Sequence, residues 1–380
     1  MAERSSGRAF RLLLTGGGTG GHLFPAIAAA QELRKRMPDC KVLFVGTKRK
    51  MDSTSLSATG FDSCSIVSYG LKGKGLFDLI KAVLALPLSF VQALMHLRRF
   101  KPDVVLGVGG YVTGPVIVAA RMLDIPTVIH EQNSIPGMAN RKLAQIADYV
   151  CLSLPLSMEY FPERKITLTG NPVREKILEL GSSKKEMREE CTILVLGGSQ
   201  GAHAVNNLVA DVFCGPEKHR FAKVSLIHQT GLADEAGIKQ RYQKNGIQAN
   251  VSAFFQNMAE LYQQADFCIS RAGATTLSEL AACGKPALLI PYPHAADNHQ
   301  EKNAQYYTEG GGAIAFSEQD ATAAILTEAV LNIITNPEKM QHMGAAMRNL
   351  AYPHAAEKII DICIEAAATG DDYWQPLVSA

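Results

Sequence analysis

The sequence predicts an α/β protein made of two doubly wound halves, and three observations predict it. Short apolar runs alternate with longer stretches of helical period, the pattern that builds parallel sheets covered on both faces. Glycine-rich turns close several of the apolar runs. The opening unit also recurs: RLLLT followed by Gly16-Gly17-Gly18 has a counterpart in TILVL followed by Gly197-Gly198, about half of the 380-residue chain further on.

Taken in order, RLLLT (11–15) enters GGGTGGH (16–22). Pro25 then suits the first turn of a helix with apolar positions at Ile27, Ala30, Leu33 and Met37. KVLFVG (41–46), DVVLGVGG (103–110) and PTVIHEQN (126–133) read as further strands. In the second half TILVL (192–196) enters GGSQGA (197–202) and a helix, and strands SLIHQTG (225–231), DFCIS (266–270) and PALLIPY (286–292) follow. Domains are expected at 1–170 and 171–351, divided near Thr169-Gly170-Asn171-Pro172, with the helices of 352–380 packing back on the first. Sheets of this kind bind ligands beyond the carboxyl ends of their strands. A cleft lined by both glycine turns is therefore the expected site.

Composition narrows the function. Lys+Arg number 38 and Asp+Glu 36, a net charge of +2, so no global field favours nucleic acid. The cysteines at 40, 64, 151, 191, 214, 268, 283 and 363 form no Cys-x-x-Cys pair, which points to a reducing cytosol and away from zinc or redox chemistry. The start MAERSSGRAFRLLLTGG has no signal-peptide core. The uncharged run from Val104 to Ala120 is broken by glycines and short of the roughly 20 residues of a membrane span, so a soluble protein is expected.

Several clusters carry possible chemistry. Gly16 to Gly21 present backbone N–H groups at a helix start, which suits an anion, although a tight turn alone would use the same glycines. His22 stands where a phosphate-binding loop would have Lys, and Val45-Gly46-Thr47-Lys48 lacks the acid of a dinucleotide site. An imidazole at that turn can move a proton near neutrality or simply cap the helix. Ser199, in Gly197-Gly198-Ser199-Gln200-Gly201, reads as a phosphate contact or an ordinary N-cap. Arg271-Ala-Gly-Ala-Thr-Thr-Leu-Ser-Glu279 opens a helix in which Glu279 can accept both ribose hydroxyls or close a capping box with Thr276. His294 to Asn303 and His130-Glu131-Gln132-Asn133 follow strands and suit sugar hydroxyls. Arg174 can clamp a phosphate or sit exposed on a linker. Leu71 to Phe90 mixes large apolar residues with Lys72, Lys74 and Lys81, ahead of Arg98, Arg99 and Lys101. It reads either as an interfacial patch for an anionic membrane or as a core helix with charged ends.

Together these segments resemble the MurG family of N-acetylglucosaminyltransferases with the GT-B fold. The resemblance runs in order through TGGGTGGHLFPAIA (15–28), GLKGKG (70–75), KPDVVLGVGGYVTGP (101–115), HEQN (130–133), GNPVR (170–174), GGSQGA (197–202), RAGATTLSE (271–279) and DNHQEKNA (297–304). It implies a donor, UDP-N-acetylglucosamine, on the second domain. There Phe255 meets the uracil through its backbone and Glu279 holds the ribose. Ser199 with Ala274, Thr275, Thr276, Leu277 and Ser278 binds the phosphates, aided by Arg174. Gln300 and Asn133 read the sugar, Thr19, Gly20 and Gly21 close over it, and Asn206 matches a further polar position. It also implies an acceptor, undecaprenyl-diphospho-muramoylpentapeptide, on the first domain around His22 and Gly109-Gly110-Tyr111. Leu76 to Phe90 would face an anionic membrane, placing a peripheral protein on the cytoplasmic face in the service of wall synthesis. Phe255 lies in a variable spot and His299 precedes Gln300 where members differ.

The implied reaction inverts the sugar, so it needs a base for the acceptor hydroxyl and support for the leaving diphosphate. His22 is the candidate base, with Glu131 as the alternative or as the group that orients it. There is no Asp-x-Asp motif, so no metal and no cofactor is expected; helix N-termini and Arg174 would stand in for a cation. A nucleotide-sugar epimerase, a nicotinamide oxidoreductase and a non-catalytic scaffold are the rival readings.

Overall fold

The computed structural model describes residues 8–17, 20–47, 59–69, 76–182, 190–198 and 200–372, with the backbone alone at 76–83, 182 and 370–372. The chain forms two compact units. The first takes 1–132, 136–172 and 354–380; the second takes 133–135 and 173–353.

In the first unit seven parallel strands run in the order β3-β2-β1-β4-β5-β6-β7. They are β1 (Arg11–Thr15), β2 (Lys41–Gly46), β3 (Asp62–Ser65), β4 (Val104–Gly107), β5 (Thr127–Glu131), β6 (Tyr149–Leu152) and β7 (Ile166–Leu168). Helices α1 (Gly20–Arg36), α2 (Leu76–Phe100), α3 (Thr113–Met122) and α4 (Met138–Leu143) connect them. The strands are apolar at consecutive positions because both faces are covered. Leu12 and Leu14 join Leu33, Leu106, Ile359 and Ile360 on one side. Leu13 joins Val105, Leu97, Val116 and Ile117 on the other. The C-terminal helix Ala355–Asp372 thus lies on this sheet, against α1.

The second unit has six parallel strands in the order β10-β9-β8-β11-β12-β13. They are β8 (Cys191–Leu196), β9 (Val224–Gln229), β10 (Ala249–Ser252), β11 (Phe267–Ser270), β12 (Ala287–Leu289) and β13 (Ala313–Ala315). The helices that matter for its site are α5 (Glu175–Leu178), α6 (His203–Cys214), α7 (Glu235–Asn245), α8 (Met258–Gln264), α9 (Ala274–Cys283) and α10 (His299–Glu309). One core cluster joins Ile193, Val205, Phe213, Leu226, Tyr242, Phe267 and Leu288.

The α/β expectation holds in both units, and β1 and β2 end where the sequence places them. DVVLGVGG keeps only four residues in its strand. Gly109 and Gly110 take φ of +98° and +88° and turn the chain out of the sheet. The inner strand β6 and the edge strands β3, β7, β10 and β13 are absent from the sequence reading; β3 and β10 are largely polar, and β7 and β13 are only three residues long. Strand order reverses between β1 and β4 in the first sheet and between β8 and β11 in the second, the crevices where sheets of this type bind ligands. No described helix is long and apolar enough to cross a membrane.

Candidate functional site

In the first unit the turns after β1 and β4 pack backbone on backbone. A Cβ on Gly110 would stand 2.7 Å from the Gly17 carbonyl oxygen, and one on Gly109 would stand 3.0 Å from the His22 ring. Only glycines allow that approach. His22 sits in the first turn of α1 and is half-buried. Its Nδ1 lies 3.0 Å from Oε1 of Gln132. Gln132 in turn donates from Nε2 to the Val108 carbonyl at 2.9 Å and to His130 Nδ1 at 3.0 Å.

Glu131 was expected as the alternative base or as the group orienting His22. It is buried, with Oε2 accepting from Asn140 Nδ2 at 2.8 Å and from the Gly137 N–H at 3.2 Å. The partner on His22 Nδ1 is Gln132, the next residue along. Adjacent residues of a strand point to opposite faces, so the sequence HEQN could not be read as two groups on one side. Tyr111 is exposed beside the β4 turn, Gly20 is buried and Gly21 half-buried; Thr19 lies outside the described residues.

In the second unit α9 starts at the carboxyl end of β11, capped by Gly273 with no side-chain bond. The first turn of a helix directs its amide N–H groups out of the N-terminus, an arrangement that suits an anion. Leu277 is fully buried with its N–H on the Gly273 carbonyl at 3.0 Å, and the Ser278 hydroxyl donates back to the Ala274 carbonyl at 2.9 Å. Thr275 and Thr276 are half-buried. Glu279 forms no capping box. In the second turn of α9 its carboxylate is gripped from two sides, by Arg174 Nη2 to Oε1 at 2.7 Å and by the Tyr262 hydroxyl to Oε2 at 2.8 Å. Arg174, expected as a separate phosphate ligand, is thus brought onto the ribose candidate. Burial, and then the Glu279 charge, holds the Tyr262 hydroxyl well above the usual phenol range, so it stays a donor.

Three more residues tie the loops around this crevice. Gln229, at the end of β9, accepts from the Phe255 N–H at 3.0 Å and donates to the Gly198 carbonyl at 3.1 Å. That bond occupies the Phe255 N–H. Asn303 of α10 accepts from the Ser134 N–H at 2.8 Å and donates to Asn133 Oδ1 and to the Ala272 carbonyl, both at 3.2 Å. Gln300 accepts from the Tyr292 N–H at 3.0 Å. Asn206 departs from expectation: fully buried on α6, it donates to the Thr230 carbonyl and Asp234 at 2.8 and 2.7 Å while its carbonyl oxygen faces His228 at 3.1 Å. It holds the loop after β9 and presents no free polar atom. Ser199 lies outside the described residues, and among those described no three His, Cys, Asp or Glu cluster as for a metal.

Comparison with known proteins follows the same two-unit division. The glycosyltransferase family 28 N-terminal domain matches residues 12–152 and the family 28 C-terminal domain matches 192–359. The chain is 56% identical over 353 residues to the UDP-N-acetylglucosamine--N-acetylmuramyl-(pentapeptide) pyrophosphoryl-undecaprenol N-acetylglucosamine transferase of Desulfotalea psychrophila, covering 93% of this chain and 96% of that one. The crystal structure of Acinetobacter baumannii MurG superposes with a TM-score of 0.72 at 28% identity, over 94% of this chain and 99% of that one. A UDP-GlcNAc 2-epimerase from Neisseria meningitidis shares the fold alone, with a TM-score of 0.66 at 16% identity over 94% and 100% of the two chains.

Proposed function

The chain belongs to the MurG family within glycosyltransferase family 28, and on that premise we propose that it transfers N-acetylglucosamine from UDP-N-acetylglucosamine to undecaprenyl-diphospho-N-acetylmuramoyl-pentapeptide, inverting the sugar and completing the lipid-linked disaccharide of peptidoglycan. The identity of donor and acceptor comes from the relative's name. The observation that carries the reading is the buried Glu279 carboxylate in the second turn of α9, whose first-turn amides open at the β8/β11 crossover. An anion at the amides and a ribose at the carboxylate would be separated by about 5–8 Å of helix, a spacing that suits a diphosphate joined to its ribose.

In this reading the donor's phosphates rest on the N–H groups of Ala274 to Thr276, with Ser199 and the Gly197-Gly198 turn beside them. Arg174 neutralises charge and fixes Glu279 for the ribose. Phe255 bounds the uracil, and Gln300 and Asn133 read the sugar. In the first unit His22 accepts the proton of the attacking hydroxyl, Thr19, Gly20 and Gly21 close over the donor sugar, and Tyr111 lines the acceptor side. Amide dipoles and the guanidinium take the charge that develops on the leaving UDP.

A peripheral position on the cytoplasmic face of the membrane belongs to the same proposal. Leu84, Leu88, Val91 and Met95 repeat at helical spacing along α2 and are exposed, with Arg98, Arg99 and Lys101 exposed at its end. A stripe of this kind next to cations suits an anionic leaflet. Its expected N-terminal part, with Lys72 and Lys74, lies outside the described residues, as do the side chains of Leu76, Phe77, Ile80 and Lys81. The test of the whole is incorporation of labelled N-acetylglucosamine into the lipid fraction by the purified chain. Incorporation that needs the lipid-diphosphate acceptor supports the proposal; conversion of the sugar nucleotide without an acceptor favours an epimerase.

A further inference from the structure

We propose that Gln132 is a positioning residue that locks His22 in one tautomer, with the proton on Nδ1 and the lone pair of Nε2 free. The proposal deepens the reading above, in which His22 is the base.

Hydrogen-bond logic fixes each atom in turn. His130 is fully buried, and its Nε2 lies 3.1 Å from the Gly170 carbonyl and 2.9 Å from the Ser153 hydroxyl. A carbonyl only accepts, so His130 Nε2 carries the hydrogen. Burial pushes the pKa of His130 down to about 4, so the ring is neutral and holds a single N–H. Its Nδ1 is therefore an acceptor. The end of Gln132 that faces both this Nδ1 and the Val108 carbonyl must then be the NH2 end, because an oxygen there would oppose two lone pairs. The other end, Oε1, is left facing His22 Nδ1 at 3.0 Å. An amide oxygen only accepts, so His22 Nδ1 supplies the hydrogen, and neutral His22 has its lone pair at Nε2. A Cβ on Gly109 would stand 3.0 Å from this ring, so the glycine leaves the imidazole room in that position.

The chain from Gly170 through His130 and Gln132 to His22 thus works as a relay of orientation that moves no proton. In the reaction the acceptor hydroxyl's proton goes to His22 Nε2 as its oxygen bonds the anomeric carbon. The electron pair of the breaking bond leaves on the UDP oxygen. The opposite tautomer would present an N–H to that hydroxyl and block the step. Sequence spacing gives no hint of this, since a glutamine between a carboxylate and an asparagine looks like one more sugar contact.

The test is a long-range proton–nitrogen correlation spectrum of the full chain labelled with 15N-histidine, at neutral pH and without substrates, with His22 assigned by its loss in His22→Ala. The expected result is a protonated Nδ1 and an unprotonated Nε2 in the wild type. Gln132→Met keeps the volume and removes the amide. The Nε2-protonated form should then appear, with kcat falling about tenfold and the donor KM staying within about twofold. A wild-type spectrum with Nε2 protonated overturns the proposal, as does a Gln132→Met protein whose tautomer and turnover are unchanged. The spectra need no turnover, so a chain that shows the expected tautomer but transfers no sugar counts against the functional reading and leaves the role of Gln132 standing.

Discussion

The Arg174 guanidinium meets the Glu279 carboxylate from 105 residues earlier in the chain, Nη2 to Oε1 at 2.7 Å, with Glu279 buried and Arg174 half-buried. The pair joins the segment leading into α5 to the helix proposed to carry the donor, so the carboxylate proposed to hold the ribose also orders the fold. Glu279→Ala should raise the donor KM more than it lowers kcat. Tyr262→Phe, which removes the second grip, should cost about 1 kcal/mol of stability and raise the donor KM severalfold. Initial-rate kinetics and urea unfolding check both, and unchanged donor saturation in Glu279→Ala would contradict the ribose assignment.

His22→Ala should lower kcat by about 100-fold or more, in line with loss of general-base catalysis, while the donor Kd stays the same. Calorimetric titration with UDP-N-acetylglucosamine alongside turnover separates the two effects. A variant keeping most of its turnover would remove His22 from the base role.

Acid should weaken the fold through two buried imidazoles. Burial pushes His228 down to about 3, with Asp234 opposing, and His130 down to about 4, against the raising effect of its Gly170 hydrogen bond. Between those values and about 6.5 the unfolded chain binds protons that the folded chain refuses. Their contribution is therefore complete above pH 6.5 and is lost as pH falls through the window, by up to about 1.4 kcal/mol per pH unit for each ring. Urea midpoints measured from pH 7 down to pH 5 should fall; a midpoint that holds or rises would show that these rings are charged in the fold.

Replacing Leu84, Leu88 and Met95 with Ser should lower partitioning onto anionic vesicles with little change in Tm, since all three are exposed on α2. Sedimentation with phosphatidylglycerol vesicles reads the first quantity and a melting curve the second. A loss of Tm with unchanged partitioning would mean that the stripe packs within the protein.

The sequence was most legible where physics is local. Apolar runs closed by glycine marked β1, β2 and β8 because buried parallel strands are apolar on both faces. Glu279 and His22 were legible as residue types at strand–helix turns. The bonds they make were not. Tyr262 on α8 reaches Glu279 and Gln132 reaches His22 from far along the chain, which no period or spacing reveals. Asn206 misled for the opposite reason: a polar residue in the helix after a glycine turn looks like a ligand contact until burial shows its amide spent on the protein.

The most direct measurement of the central claim is the rate of UDP release from UDP-N-acetylglucosamine by the purified chain, with and without undecaprenyl-diphospho-N-acetylmuramoyl-pentapeptide. The account predicts release that depends on the acceptor and equals the β-linked disaccharide formed. Release at the same rate without acceptor, or none with both substrates present, would contradict it.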